Sequence, residues 1–154
     1  MLENFWDLRA SDRLAEWKDF RHKIGSLPLA EAIPELNRLW STAPYVTYTY
    51  LAPDEPNTWP APWPLFAENR WCDVAKALGI VYTIYFSSHR NVPLEIRVYY
   101  DYKEKTRYNL AWIDDGKYIL NYYPHEIVNT ELVEEKQLQL LYQYSSIDLQ
   151  LEKY

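Results

Sequence analysis

Apolar residues recur at helical spacing in three stretches of the first half of the chain. The first stretch ends at Gly25. The second covers residues 29–40 and contains Pro34, which predicts a kink or a restart of that helix. The third covers residues 71–78, and we interpret Gly79 behind it as a helix C-cap. The sequence therefore predicts a helical N-terminal half.

Strand-like patterns dominate the rest of the chain, as apolar-polar alternation or as short runs of β-branched and aromatic residues. These patterns predict strands at residues 45–51, 80–86, 94–102, 107–113, 117–123 and 137–145. Gly116 lies in an Asp-Asp-Gly-Lys sequence between two of these strands, which predicts a hairpin turn. A short final helix is expected within residues 147–154, capped by Ser145 or Ser146.

This order of elements predicts an α+β fold, in which N-terminal helices pack on a mostly antiparallel β-meander and a short C-terminal helix follows. We expect a single domain over residues 1–154, since this length suffices for one hydrophobic core. Strands and helices do not alternate, and the three glycines are isolated from one another. A nucleotide-binding sheet with a glycine-rich phosphate loop is therefore not expected.

Charge and hydropathy narrow the range of partners. The net charge is −6 and no basic cluster is longer than two residues, so nucleic acid is not an expected partner. The longest apolar run, near residues 80–86, is too short to cross a bilayer, so no membrane partner is expected. The N-terminus lacks an apolar signal core, so we expect no secretion by a signal peptide.

The titratable residues predict neither a metal site nor a cofactor. His22, His89 and His125 lie on separate predicted elements and form no pair at metal-ligand spacing. The single cysteine, Cys72, excludes an internal disulfide. No small-molecule substrate is indicated, and no catalytic residue is predicted unless Cys72 is one.

Aromatic residues make up 17% of the chain, and the segment 57–64 concentrates them beside prolines. We predict that Trp59, Pro60, Pro62 and Trp63 form a stiff extended loop, because each proline fixes φ. Such a loop either packs on its own core or anchors a partner protein. Trp63 precedes a predicted helix and can pack against it, so Trp59 is the better candidate for a partner contact.

Cys72 allows two interpretations. It can be a nucleophile near the start of a helix capped by Asn69, where the helix dipole favours the thiolate. It can also be a small apolar residue packed in the core. A thiol nucleophile needs a histidine base that is itself oriented by Asn or Asp. No histidine lies in residues 107–113, so the sequence favours a packed Cys72.

Residues 71–80 (WCDVAKALGI) and 108–123 (YNLAWIDDGKYILNYY) together resemble the core of transglutaminase-like, papain-related thiol enzymes. In that family a cysteine starts a helix, a strand carries a histidine before an Ala-Trp pair, and the next strand carries an aspartate. The resemblance implies the same helix-and-hairpin arrangement in this chain.

Carried over residue by residue, the resemblance places the cysteine at Cys72, the histidine near Tyr108 or Asn109, and the aspartate at Asn121. Neither the base nor the acid is present at those positions. The resemblance therefore implies a degenerate, non-catalytic relative, with a thiol hydrolase using Cys72 as the alternative.

A second resemblance covers most of the chain. Short proteins of tailed bacteriophages, particularly cyanophage-like ones, are similar to this chain in the Trp-Pro-x-Pro-Trp sequence at 59–63 and in the order of four stretches, SLPLAEAIPELNRLW (26–40), APDEPNTWPAPWPLFAEN (52–69), WCDVAKALGIVYTIYFSSH (71–89) and GKYILNYYPHEIVNT (116–130). This implies a non-enzymatic virion structural or assembly protein, in the tail, baseplate or head–tail connection. Its partners would be other virion proteins or copies of itself, and its location the host cytoplasm and then the virion.

Overall fold

The computed structural model describes the backbone of residues 2–154 and the side chains of residues 4–154. Its α-helices are α1 (Ala10–Gly25), α2 (Leu29–Ser41), α3 (Pro62–Glu68), α4 (Asp73–Tyr85) and α5 (Thr130–Glu135). Its strands are β1 (Leu94–Asp101), β2 (Thr106–Ile113), β3 (Tyr118–Tyr122), β4 (Glu126–Val128) and β5 (Gln139–Ser145). Short 3-10 helices cover Leu2–Asp7, Pro56–Thr58 and Leu151–Lys153.

The five strands form one antiparallel sheet in the order β4-β3-β2-β1-β5. β1 and β2 pair along their whole length, from Leu94 opposite Ile113 to Asp101 opposite Thr106. The turn between β2 and β3 places Gly116 at φ 86°, a conformation that favours glycine, as the Asp-Asp-Gly sequence predicted. The α+β fold with N-terminal helices on an antiparallel sheet is confirmed.

Helix α4 lies between the other helices and the sheet, and it contacts α1, α2, α3 and the three central strands. Every residue from Val74 to Tyr85 is buried. The other face of the sheet carries a smaller cluster that includes Trp112 and is covered by Val133 of α5. The main core therefore surrounds α4.

The prediction of a strand at residues 80–86 is wrong, because this segment is the second half of α4. A helix that is buried on all sides has no polar face, so its apolar run resembles a buried strand. Gly79 is not a helix cap either. It lies inside α4, where a Cβ atom would come within 2.2 Å of the Trp40 ring.

Three further segments differ, wholly or in part, from the predictions. Residues 45–51 form no strand and make only a single parallel bridge, between Tyr45 and Trp71. Pro34 lies inside α2, which continues from Leu29 to Ser41, so of the predicted kink or restart only the restart is wrong. At the C-terminus a 3-10 helix, Leu151–Lys153, takes the place of the helix expected within 147–154.

The Pro-Trp segment is only partly extended. Pro62 is at the first turn of α3, where its missing N–H costs no hydrogen bond. Trp59 is 8% exposed, and its Nε1 donates to the Ala52 carbonyl at 2.8 Å. Trp63 is 50% exposed. Trp59 was expected to be the better candidate for a partner contact. This expectation is corrected, because Trp59 is buried and packs edge-on against Tyr144, whereas Trp63 is half-exposed.

No helix within residues 2–154 is both long enough and apolar enough to span a bilayer.

Candidate functional site

The start of α4 is defined by a tight connection from α3. Asn69 ends α3 in the left-handed conformation, at φ 56°, and α4 begins at Asp73 with Cys72 as its N-cap. The sequence suggested Asn69 as the cap of α4, but in the structure Cys72 takes that position. The side chain of Asn69 donates instead to the Trp6 carbonyl and accepts from Trp71 Nε1.

Cys72 is 1% exposed and belongs to the main core. The residue before it, Trp71, is fully buried among aromatic rings. Its ring centroid lies 4.8 Å from that of Trp40, 5.2 Å from that of Phe66 and 5.5 Å from that of Trp6. Cys72 is thus packed, as predicted, and it does not line the adjacent cavity.

A cavity of about 660 Å³ lies where the start of α4 faces the ends of β2 and β3. Polar and charged side chains from several elements line it, among them Asp73 and Lys76 of α4, Asn109 of β2, Asn121 of β3, and His125. A cavity of this size with convergent polar groups is the usual form of a ligand site.

Asp73 is the acidic group at the helix start. Burial raises the pKa of its carboxyl, and the nearby Lys76 charge partly opposes this shift. The hydroxyl of Tyr45 lies 3.4 Å from Asp73 Oδ2, which is a long hydrogen bond. Burial and the Asp73 charge raise the pKa of Tyr45 in turn. These two side chains form one edge of the cavity.

Lys76 lies one turn further along α4 and is only 3% exposed. Burial lowers the pKa of its amine, and the Asp73 charge partly opposes this shift. Among the side chains of residues 4–154, Lys76 forms no ion pair. Its Nζ lies 5.7 Å from the centre of the Tyr45 ring. The cavity therefore contains a buried cation without a contacting anion.

Asn121 joins the sheet to the start of α4. Its Nδ2 donates to the Asp73 carbonyl at 3.0 Å and to the Asn109 carbonyl at 2.8 Å. Its backbone is left-handed, at φ 71°, a conformation that asparagine tolerates better than most residues. Asn109 itself is 4% exposed, and its Oδ1 has no hydrogen-bond partner.

His125 follows Pro124 at the far side of the cavity, with φ 74°. Asn37 of α2 donates to its backbone carbonyl at 2.7 Å, which fixes the loop. Burial and the Lys76 charge lower the pKa of the imidazole, while Asp73 opposes them. The imidazole of His125 and the carboxyl of Asp73 therefore act on each other electrostatically, and the Lys76 charge acts on the imidazole.

The other two histidines lie elsewhere. The ring of His89 contacts two backbone carbonyls, those of Ile24 and Leu27, each at 3.0 Å. His22 is in the last turn of α1. Within the described residues, no three His, Cys, Asp or Glu side chains are grouped so that they could hold a metal ion.

The positions named by the transglutaminase-like resemblance do converge at the start of α4. Asn109 and Asn121 line the cavity together, and Tyr108 lies beside them. At the helix start, however, Asp73 lines the cavity and Cys72 does not. Sequence reasoning missed Asp73 and Lys76, because acidic and basic residues on a helix ordinarily face solvent.

A scan against protein-family models and a search of curated proteins each found no match. Among solved structures, the chain is similar to Legionella pneumophila LapG, with a TM-score of 0.68 and 13% identity over 93% of this chain and 83% of that one. It is also similar to EGTA-treated LapG, with a TM-score of 0.69 and 12% identity over 94% of this chain and 82% of that one.

LapG is a transglutaminase-like cysteine protease. Nothing in these comparisons supports the resemblance to bacteriophage proteins or a virion function. At this level of identity the likeness concerns the fold alone. The chain therefore shares the fold of LapG, which supports the transglutaminase-like resemblance and not the bacteriophage one.

Proposed function

We propose that this protein uses a transglutaminase-like fold to bind a polypeptide segment in the cavity at the start of α4, without a thiol nucleophile. One observation carries the proposal. At the helix start the cavity is lined by Asp73, while Cys72 is 1% exposed in the aromatic core. These observations support a binding site on this fold in which Cys72, packed beside the cavity, takes no part.

The chemistry of the cavity suits a peptide. A peptide segment presents alternating N–H donors and C=O acceptors, and the lining offers groups of both kinds. Lys76 is a donor, Asn109 Oδ1 is an unused acceptor, and Asp73 accepts from Tyr45. The volume of about 660 Å³ lies in the range of small-ligand sites, which is room for a few residues.

Thiol chemistry at Cys72 lacks the groups that it requires. A thiolate nucleophile needs an imidazole within hydrogen-bonding reach, held by a third group. In the described part of the chain, the imidazole at the cavity is that of His125, and it has no hydrogen bond to Cys72. Asn109 and Asn121 cannot act as bases at neutral pH, because the amide nitrogen has no basic lone pair and serves only as a donor.

The test uses a pool of N-acetylated tripeptide amides of mixed sequence, observed by saturation-transfer NMR. Wild-type protein is expected to bind members of the pool. Ser41 lines the cavity, so Ser41→Trp fills part of it and is expected to abolish binding. Ser11→Trp, on the exposed start of α1, is the matched control and is expected to leave binding unchanged.

Thermal unfolding of both variants shows whether each is folded. Binding that survives in a folded Ser41→Trp protein, or no binding of any peptide to wild type, would contradict the proposal.

A second candidate is a thiol hydrolase that uses Cys72. The similarity to LapG and the place of Cys72 as the N-cap of α4 favour it. Iodoacetamide at neutral pH distinguishes the two candidates. The binding proposal predicts that folded protein stays unlabelled while urea-unfolded protein is labelled. Rapid labelling of the folded protein would favour the hydrolase.

A further inference from the structure

Among the described residues, the amine of Lys76 has no anionic partner in contact with it. Its side chain is 3% exposed, and it makes no ion pair among the described side chains. A buried cation without a contacting anion is costly, and proteins ordinarily satisfy it with a carboxylate. Asp73, three residues earlier on α4, acts on Lys76 only through space. The anion that satisfies Lys76 can therefore come from a ligand.

The side-chain oxygen of Asn109 is a second polar group without a hydrogen-bond partner among the described residues. Asn109 is 4% exposed, it lines the same cavity, and its Oδ1 accepts no hydrogen bond. Buried side-chain oxygens nearly always have a donor, so this one lacks its usual partner among the described residues. A ligand N–H in the cavity reaches it once the Asn109 side chain rotates toward the cavity. Asn121 uses the backbone carbonyl of Asn109 but not its side chain.

We propose that the bound segment places a carboxylate on Lys76 and an N–H donor on Asn109 Oδ1. The proposal rests on the proposed function and specifies its ligand, a carboxylate with a neighbouring amide N–H. Asp73, Asp101 and Glu104 also line the cavity, and so do Arg107 and Lys136, which are exposed. Lys76 is therefore the buried cation of a lining that carries charges of both signs. Two sources supply this chemistry: a polypeptide C-terminus, or a side chain of Asp or Glu.

Three probes separate these sources by their affinity for the wild-type protein, measured by saturation-transfer NMR titration. N-acetylglycine imitates a C-terminus, N-acetylglutamic acid α-amide imitates a side-chain carboxylate, and N-acetylglycinamide is the neutral control. At least one carboxylate probe is expected to bind about tenfold more tightly than the neutral control, the equivalent of one charge-assisted hydrogen bond. The tighter of the two identifies the source.

N-acetylsarcosine has the carboxylate of N-acetylglycine but a methyl group in place of the N–H. If Asn109 Oδ1 accepts the N–H, this probe is expected to bind more weakly than N-acetylglycine.

Lys76→Met removes the charge while keeping an unbranched side chain of nearly the same length, and it is expected to abolish the preference for carboxylates. Lys117→Met, at an exposed lysine outside the cavity, is the matched control and is expected to retain the preference. The comparison of charged and neutral probes on wild type holds whether or not Lys76→Met folds.

Equal affinity for all the probes, or a preference that persists in folded Lys76→Met, would overturn this inference. The proposed function would survive that result if the tripeptide amides still bind. Failure of both the probes and the tripeptide pool would overturn the two together.

Discussion

Cys72 and Asp73 are neighbours in the chain, yet their surroundings differ. Cys72 is enclosed by the core that holds Trp71, whose own exposure is 0%. Asp73 borders a polar cavity with Lys76 and Asn121. The packed aromatic cluster around Trp71, which we call the aromatic side, stabilises the fold and leaves no space for a substrate. The polar side contains a buried charge and an unpaired oxygen, which cost stability. Unfavourable groups of this kind are retained where they serve binding.

The largest effect is expected on the aromatic side. Trp71→Ala removes a fully buried ring from contact with Trp6, Trp40 and Phe66. We expect it to lower the free energy of unfolding by about 3–5 kcal/mol, measured by urea denaturation. Trp63→Ala, at a half-exposed tryptophan, is the control and is expected to cost much less. Similar losses for the two variants would show that the aromatic cluster does not stabilise the start of α4.

Asn121→Ala tests the hydrogen bonds that join strands β2 and β3 to the start of α4. It removes two hydrogen bonds, to Asp73 and to Asn109, and it puts alanine at φ 71°. We expect a loss of about 2 kcal/mol in unfolding free energy. Asn121→Gly also loses the hydrogen bonds but tolerates the backbone, so it is expected to be less destabilised than Asn121→Ala. The reverse order would mean that the left-handed backbone is not part of the cost.

Lys76→Met is expected to increase stability. Burial holds the pKa of Lys76 below its usual 10.5, so the charged amine opposes folding at neutral pH. Removing it is expected to raise the free energy of unfolding by about 1 kcal/mol. Lys117→Met, at an exposed lysine, is expected to change little.

The pH dependence follows from the direction of this shift. The native protein releases the Lys76 proton at a lower pH than the unfolded chain does. The unfavourable contribution of Lys76 to wild-type stability therefore shrinks as pH rises through the interval between the lowered pKa and 10.5. The advantage of Lys76→Met is full below that interval and shrinks through it. Urea denaturation of both proteins at several pH values measures this, and an advantage that grows with pH would contradict it.

The fold was more predictable from sequence than the site. Four of the five strands and the turn at Gly116 were predicted, because one-sided burial and turn geometry leave local patterns. The second half of α4 was missed, because burial on all sides removes the helical period.

At the site, the resemblance identified Asn109 and Asn121 but placed the chemistry at Cys72. Which of two adjacent residues borders the cavity depends on how α3 ends at Asn69 and where α4 begins. That geometry is set by tertiary packing and leaves no periodic signal. Asp73 in a first helical turn has the pattern of an ordinary surface residue.

The smallest effect is expected for Cys72→Ala, which removes one buried sulfur. We expect a loss of about 1 kcal/mol in unfolding free energy, because little volume is lost. The protein is expected to stay folded at room temperature.

Peptide binding by Cys72→Ala tests the central claim, that the cavity at the start of α4 binds a peptide without the thiol of Cys72. The measurement is the affinity of Cys72→Ala for the tightest-binding N-acetylated tripeptide amide, determined by NMR titration beside wild type. We predict equal affinities, because Cys72 does not line the cavity. A folded Cys72→Ala protein that no longer binds the peptide would contradict the account.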